Sequence, residues 1–275
     1  CFSFAVDGGG PAAELIWPPD GSITSCADES VLVSLTDPAG VMMDSTILRI
    51  AGSDFTPALP ELTARDSILI FRPSVPFSDG ETVDIRVLRA MDSLDHVASG
   101  SAWSFTVDTS PPEAGNFHPA PGSVALLDSI AAELTDDIAG VDAASIVMTV
   151  DGYPPISITD PALYFDDPIL ALDASLAGLS HGDGDTATIC ISAADDPDIC
   201  ERNLMPDTCF SFVVDAGGPS AELIAPPPGA VSSCPDMGAA FRIEDPSGID
   251  ASTIILSVNG ATLDIGAPEL VWHAP

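Results

Sequence analysis

Apolar and polar residues alternate in short stretches along this chain, and clusters of Gly, Pro and Asp separate the stretches. In Val31-Leu-Val-Ser-Leu35 and Val83-Asp-Ile-Arg-Val87 every second residue is apolar, the period that buries one face of a strand and leaves the other to solvent. By this criterion strands are predicted near residues 12–17, 31–36, 46–51, 68–72, 83–89 and 102–107. The pattern repeats near 113–117, 130–135, 145–151, 186–193 and 209–214. β-branched runs ending in tight turns occupy 47–52, 146–152 and 254–260; Asp151-Gly152 and Asn259-Gly260 are hairpin signals, because these residue types tolerate the positive φ of such turns. The predicted class is all-β, and strands this short need two sheets packed face to face to cover their apolar sides.

The strands recur in a long period. Cys1-Phe-Ser-Phe-Ala-Val-Asp7 returns as Cys209-Phe-Ser-Phe-Val-Val-Asp215, a displacement of 208 residues, and a weaker copy ends at Asp108. A second marker keeps the same beat: Asp37-Pro-Ala-Gly40, Asp137-Ile-Ala-Gly140 and Asp245-Pro-Ser-Gly248. Two units of about one hundred residues follow, the size of a single sandwich. The predicted organisation is a last strand of a preceding or partner-completed domain at 1–7, domains at 8–108 and 109–215, and an incomplete third domain at 216–275 that stops just past its fifth main strand. Such an end implies either a window on a longer array or an edge filled by a strand from a neighbouring subunit.

Charge narrows the partners. The 275 residues include 42 Asp and Glu against 7 basic residues, all Arg, for a formal net charge of −35. Nucleic acid and anionic membranes are excluded, since binding them takes clustered Lys and Arg. No apolar run approaches the roughly 20 residues needed to span a bilayer, so no membrane insertion is expected. Self-repulsion on this scale is relieved by concentrated salt or by divalent cations.

Four features resemble the bacterial immunoglobulin-like, fibronectin-III-like tandem repeats of large secreted or surface proteins. They are the linker Ser104-Phe-Thr-Val-Asp-Thr-Ser-Pro-Pro112, the turn Pro119-Ala-Pro-Gly122, the run from Asp137 to Ile146, and Asp183-Gly-Asp-Thr186 ahead of a strand. The resemblance covers the whole chain and implies tandem immunoglobulin-like β-sandwiches in an elongated array. Met42 departs from it, standing where the later units have Asp142 and Asp250, and the loops at 92–100 and 195–207 lack the usual Asp-Asn-x-Gly-Asn pattern.

Six cysteines, Cys1, Cys26, Cys190, Cys200, Cys209 and Cys234, show no zinc-type spacing and are expected to form disulfides in an oxidising compartment. Topology brings Cys190, Cys200 and Cys209 together and sets Cys26 near the next domain, so a bond from Cys26 to Cys200 or Cys209 across the junction is one scheme. Local pairing of Cys1 with Cys26, Cys190 with Cys200 and Cys209 with Cys234 is the other. In a sandwich the second and sixth loops meet the incoming linker, which gathers Asp7, Asp37 and Asp92 in the first unit, Asp108, Asp137 and Asp195 in the second, and Asp215 and Asp245 in the third. Loop carboxylates and carbonyls suit calcium, which takes six to eight oxygens in irregular geometry; the same Asp residues also serve as turn caps. No cofactor is required.

The catalytic motifs of nucleophilic and zinc hydrolases are absent, and His96, His118, His181 and His273 are dispersed. Trp17 beside Pro18-Pro19 is expected at a surface, with Trp103 and Trp272 in cores. The expectation is a non-enzymatic structural region of a secreted or surface prokaryotic stalk, adhesin or filament, whose partners are further repeats or neighbouring copies. A carbohydrate- or protein-binding accessory module of a larger secreted enzyme is the alternative.

Overall fold

The computed structural model describes residues 7–98 and 100–274, so the strand expected at 1–7, with Cys1, falls outside the described residues apart from Asp7. The first sandwich comprises β1 (Ala12–Trp17), β2 (Ile23–Thr24), β3 (Val31–Thr36), β4 (Ile47–Ile50), β5 (Ser53–Phe55), β6 (Leu62–Arg65), β7 (Ile68–Phe71), β8 (Thr82–Arg89) and β9 (Ala102–Val107). One sheet runs β1-β3-β7-β6 and the other β2-β9-β8-β4-β5, the strand order of an immunoglobulin-like sandwich. The alternation works as its pattern requires: Val31, Val33 and Leu35 of β3 and Val83, Ile85 and Val87 of β8 are buried, while Asp84 and Arg86 between them are exposed. Leu48, Leu69 and Phe105 complete a closed core, and each such side chain contributes about 1.5–3 kcal/mol by leaving water.

The second sandwich repeats the plan with β10 (Glu113–His118), β11 (Val124–Ala125), β12 (Ser129–Thr135), β13 (Val147–Val150), β14 (Ile156–Ser157), β15 (Leu163–Asp166), β16 (Ile169–Asp173), β17 (Thr186–Ser192) and β18 (Thr208–Val214). Its sheets run β10-β12-β16-β15 and β11-β18-β17-β13-β14. The third repeat holds β19 (Ser220–Ala225) paired with β20 (Ala240–Glu244), and β21 (Ile255–Val258) paired with β22 (Ala261–Asp264). Residues 270–273, which lie at the repeat position of β6, are not in a strand. Among the described residues the last strand expected in the third repeat is therefore not formed.

The chain is all-β, a tandem series of immunoglobulin-like sandwiches. Each predicted strand of the two complete units corresponds to a strand, while β2, β5, β11 and β14 are too short for alternation to reveal. Asp142 and Asp250 accept from the amides of Ala144 and Ser252 and so cap short 3-10 turns; Met42, at the same place in the first sandwich, makes no such bond.

The chain divides into two compact units, and the division falls inside the second sandwich. The first unit is Cys1–Gly115 with Leu134–Val147 and Ile191–Thr208; the second is Asn116–Glu133, Met148–Cys190 and Cys209–Pro275. The first sandwich is thus packed as one body with the leading end of the second.

Candidate functional site

That leading end is where the chemistry of the first unit concentrates. Beyond β9 the linker Asp108-Thr-Ser-Pro-Pro112 is held by Asp79, which accepts from the amide and hydroxyl of Thr109 (2.6 and 3.0 Å) and from the Ser110 hydroxyl (2.6 Å). These donors, Ser110 foremost, hold the Asp79 carboxyl below its ordinary range despite some burial. Gly80, next along, has φ +74° and donates to the Val107 carbonyl at 2.9 Å, a left-handed conformation that a Cβ would strain.

Asp108 is 1% exposed; its Oδ1 accepts from the Ser110 amide (3.2 Å) and its Oδ2 from the Ala139 amide (2.9 Å). Asp195 is fully buried and accepts from the Asn203 backbone and side-chain amides, each at 2.6 Å. The Asn203 side chain also donates to the Asp108 carbonyl at 3.0 Å. The third carboxylate is Asp136, whose Oδ1 accepts from Ile138 (3.1 Å) and Gly140 (2.8 Å). One oxygen from each of Asp108, Asp136 and Asp195 lies within 4.8 Å of the others. Desolvation pushes the Asp108 and Asp195 carboxyls up; the amides of Ala139 and Ser110, and of Asn203, oppose it, and the neighbouring carboxylates add to it.

Asp136, and not the expected Asp137, completes this trio. The reason lies in the turn: Pro38 and Pro246 follow Asp37 and Asp245, but Ile138 follows Asp137. Proline has no N–H, whereas Ile138 has one, and it donates to Asp136. In the other two turns the Asp before Pro caps instead, Asp37 accepting from Ala39 (2.7 Å) and Asp245 from Ser247 (2.9 Å). Asp137 lines an adjacent cavity of about 200 Å3 together with Asp79, Asp108, Glu113 and Asp136.

The first sandwich carries the same scaffold with a different occupant. Asp92 pairs with Val41 as Asp195 pairs with Val141, and each donates its amide to the carbonyl of a loop residue, His96 (3.1 Å) or Asn203 (3.2 Å). Asp92 accepts from the His96 amide (2.8 Å) and meets the His96 Nδ1 at 2.7 Å. Asp7, Asp92 and His96 form the cluster there. Asp37 stands outside it, although its charge, with those of Asp92 and Asp7, adds to the upward push that the Asp92 hydrogen bond gives the imidazole. Burial works against ionisation of Asp92, and the bonds from His96 and Leu94 outweigh it, so its carboxyl sits below the ordinary range. An imidazolium can thus offset one of the two carboxylate charges of the first cluster from within. In the second, the nearby Arg202 is committed to Asp142 at 2.6 Å. Asp215 and Asp245 of the third repeat join no cluster of three ligating side chains among the described residues.

A covalent clamp accompanies the carboxylates. Cys26 is bonded to Cys200, with Cα atoms 5.9 Å apart, and a backbone ladder flanks the bond. Ile199 donates to the Ile23 carbonyl and Ser25 to the Ile199 carbonyl, both at 3.2 Å, while Asp198 Oδ2 accepts from the Ile23 amide at 2.8 Å. Within the second unit Cys190 of β17 is bonded to Cys209 of β18. The fully local scheme is therefore not the one present. Cys234, expected in a disulfide, is free and exposed, and Cys1 lies outside the described residues.

Trp103 packs on the first core. Trp17 is 37% exposed and its Nε1 donates to Glu29 at 2.9 Å. No helix among the described residues is long and apolar enough to cross a membrane, and two disulfides fit an oxidising, extracytoplasmic setting.

No protein-family model and no curated protein matches the chain. Solved structures with which it aligns include titin domains I67–I69, an E-to-A variant with three immunoglobulin domains, at 8% identity over 87% of this chain and 78% of that one, TM-score 0.46. The fibronectin(III)-like modules of Clostridium thermocellum CbhA align at 13% identity over 74% and 94%, TM-score 0.32. The tandem immunoglobulin repeats of Dlar align at 13% identity over 75% and 98%, TM-score 0.26. At these scores the fold rests on the strand order itself.

Proposed function

We propose that this chain is a non-enzymatic structural region of an extracellular or cell-surface protein, a shaft of the stalk, adhesin or filament type. In this reading the junction between its first two sandwiches is a rigid joint, stiffened by a disulfide and by calcium. The observation that carries it is the packing of the first sandwich as one body with the leading end of the second, through the Cys26–Cys200 bond, the Asp79-pinned linker and the buried Asp108. A joint so fixed transmits orientation from one sandwich to the next, which a flexible tether does not.

Calcium is the cation the second cluster would take. Its donors are hard carboxylate oxygens, Asp108, Asp136 and Asp195, beside a small acidic cavity lined in part by Asp137, and a divalent ion would offset carboxylates left without a cationic neighbour. The first cluster has His96 to do the same work. Further repeats of the same protein or neighbouring copies are the partners that such a shaft would meet.

Small-angle scattering combined with calorimetry on the whole chain tests both parts. The oxidised, calcium-loaded chain should scatter as a stiffer particle than the chain in reductant and chelator, and it should melt higher. Identical profiles in the two conditions would remove the rigid-joint reading, and equal melting temperatures in chelator and in millimolar calcium would remove calcium from it.

A further inference from the structure

The strip that receives the Cys200 loop is written twice in this chain. Gly21-Ser-Ile-Thr-Ser-Cys26 and Gly229-Ala-Val-Ser-Ser-Cys234 stand 208 residues apart, and the turn that opens each and the bond to each cysteine amide are alike. Ser22 donates to Pro19 O at 3.1 Å and Ala230 to Pro227 O at 3.0 Å. Gly21 and Gly229 have φ of 77° and 78°. The Cys26 amide donates to the Thr24 hydroxyl at 3.1 Å, and the Cys234 amide to the Ser232 hydroxyl at 3.0 Å. The corresponding strip of the second sandwich, Gly122-Ser-Val-Ala-Leu-Leu127, has no cysteine.

The first strip is occupied. Its Ile23 and Ser25 bond Ile199 through the backbone, Ile23 also meets the Asp198 carboxylate, the Ser25 hydroxyl donates to the Glu201 carbonyl, and Cys26 closes on Cys200. In the third repeat Cys234 is a free thiol, and among the described residues the amides of Val231 and Ser233, the counterparts of the two that the first strip offers, have no acceptor. Two such donors and a thiol at the spacing used by Cys26 repeat the groups that the first strip uses.

We infer that Val231–Cys234 is a docking strip for a protein loop of the Asp-aliphatic-Cys type that residues 198–200 represent, presented by another immunoglobulin-like sandwich. The inference rests on the reading of Cys26–Cys200 as a junction clamp. The incoming carboxylate would accept from the Val231 amide, the aliphatic residue would exchange two backbone hydrogen bonds with Val231 and Ser233, and the two thiols would join. Disulfide formation takes two electrons and two protons from the pair of thiols; oxidised glutathione accepts them, first as a mixed disulfide at Cys234 that the incoming thiolate then displaces, releasing reduced glutathione.

The test places the whole chain in a glutathione redox buffer with the peptide Asp-Asp-Pro-Asp-Ile-Cys-Glu, the sequence of residues 195–201. A parallel sample receives the rearranged peptide Ile-Asp-Pro-Asp-Asp-Cys-Glu. Peptide mapping by mass spectrometry reads the fraction of Cys234 joined to each. The native peptide should exceed the rearranged one at least tenfold, and V231D should abolish the preference. Non-reducing peptide mapping of the untreated chain should show Cys26 bonded to Cys200. Equal capture of both peptides at Cys234 with that bond present overturns the docking strip and leaves the clamp reading intact. Absence of the Cys26–Cys200 bond overturns the two together, and a Cys234–Cys234 dimer as the main product overturns the strip.

Discussion

Replacing Asp136 with Asn separates the electrostatic reading of the second cluster from a purely structural one. Three carboxylates with oxygens within 4.8 Å of one another repel by roughly 3.5 kcal/mol per ionised pair at an effective dielectric of about 20. Asp136 takes part in two of the three pairs, so as an upper estimate the substitution relieves about 7 kcal/mol, and screening and solvent access bring the expected net gain to about 1–3 kcal/mol. The cap survives, because an Asn Oδ1 can still accept from Ile138 and Gly140 as the Asp136 oxygen does. In chelator near pH 8, D136N should therefore melt above the parent chain, by about 4–8 °C for each kcal/mol in a domain of this size, and the gap should shrink in about 1 M salt. In millimolar calcium the order should reverse, since the parent gains a ligand-bound state and the variant loses one of its three carboxylates. Scanning calorimetry in the two buffers reads both effects. A D136N chain that melts below the parent in chelator refutes the repulsion argument, and one that keeps the full calcium response refutes Asp136 as a ligand.

The two disulfides should differ in weight: the loops they close span 174 and 19 residues, worth up to about 5 and about 3 kcal/mol in the chain-entropy account, so C200S should lower the melting temperature more than C190S, and the opposite order would count against the clamp. Leu134→Ala removes a side chain with 0% exposure and should cost about 2–5 kcal/mol in urea unfolding of the second sandwich. Because the folded Asp108 and Asp195 hold their protons above the ordinary carboxylate range, the stability they add is present on the acid side and is lost as pH rises through their folded values. In chelator, melting should thus fall as pH rises above the ordinary carboxylate range, and calcium should flatten the fall. The His96 shift is also upward, so the charged part of its bond to Asp92 contributes fully below about pH 6.5 and is lost as pH rises through the folded value; H96Q should lower the melting temperature more at acid pH than at alkaline pH.

Much of the architecture was legible because burial in a sandwich leaves its mark at every second residue. Val31, Val33 and Leu35 declared a strand by their spacing, and the same spacing failed for β2 and β11, which have only two residues each. The site was less legible. Asp136 and Asp137 are adjacent acids, and only the exchange of Pro38 for Ile138 between repeats hints that an extra amide would recruit the earlier one. Asn203 and His96 hold equivalent places, yet they follow Asp195 and Asp92 by eight and four residues, so no fixed spacing relates them.

From the chain alone came the class, the repeat of 208 residues and the strongly acidic balance, because periodicity and net charge are properties of the string and survive whatever the loops do. Only the tertiary structure decided which sulfur Cys26 meets, which of two neighbouring aspartates turns inward and where the chain divides. Those outcomes depend on loops brought together from separate parts of the chain, where a single amide or a single turn selects the partner.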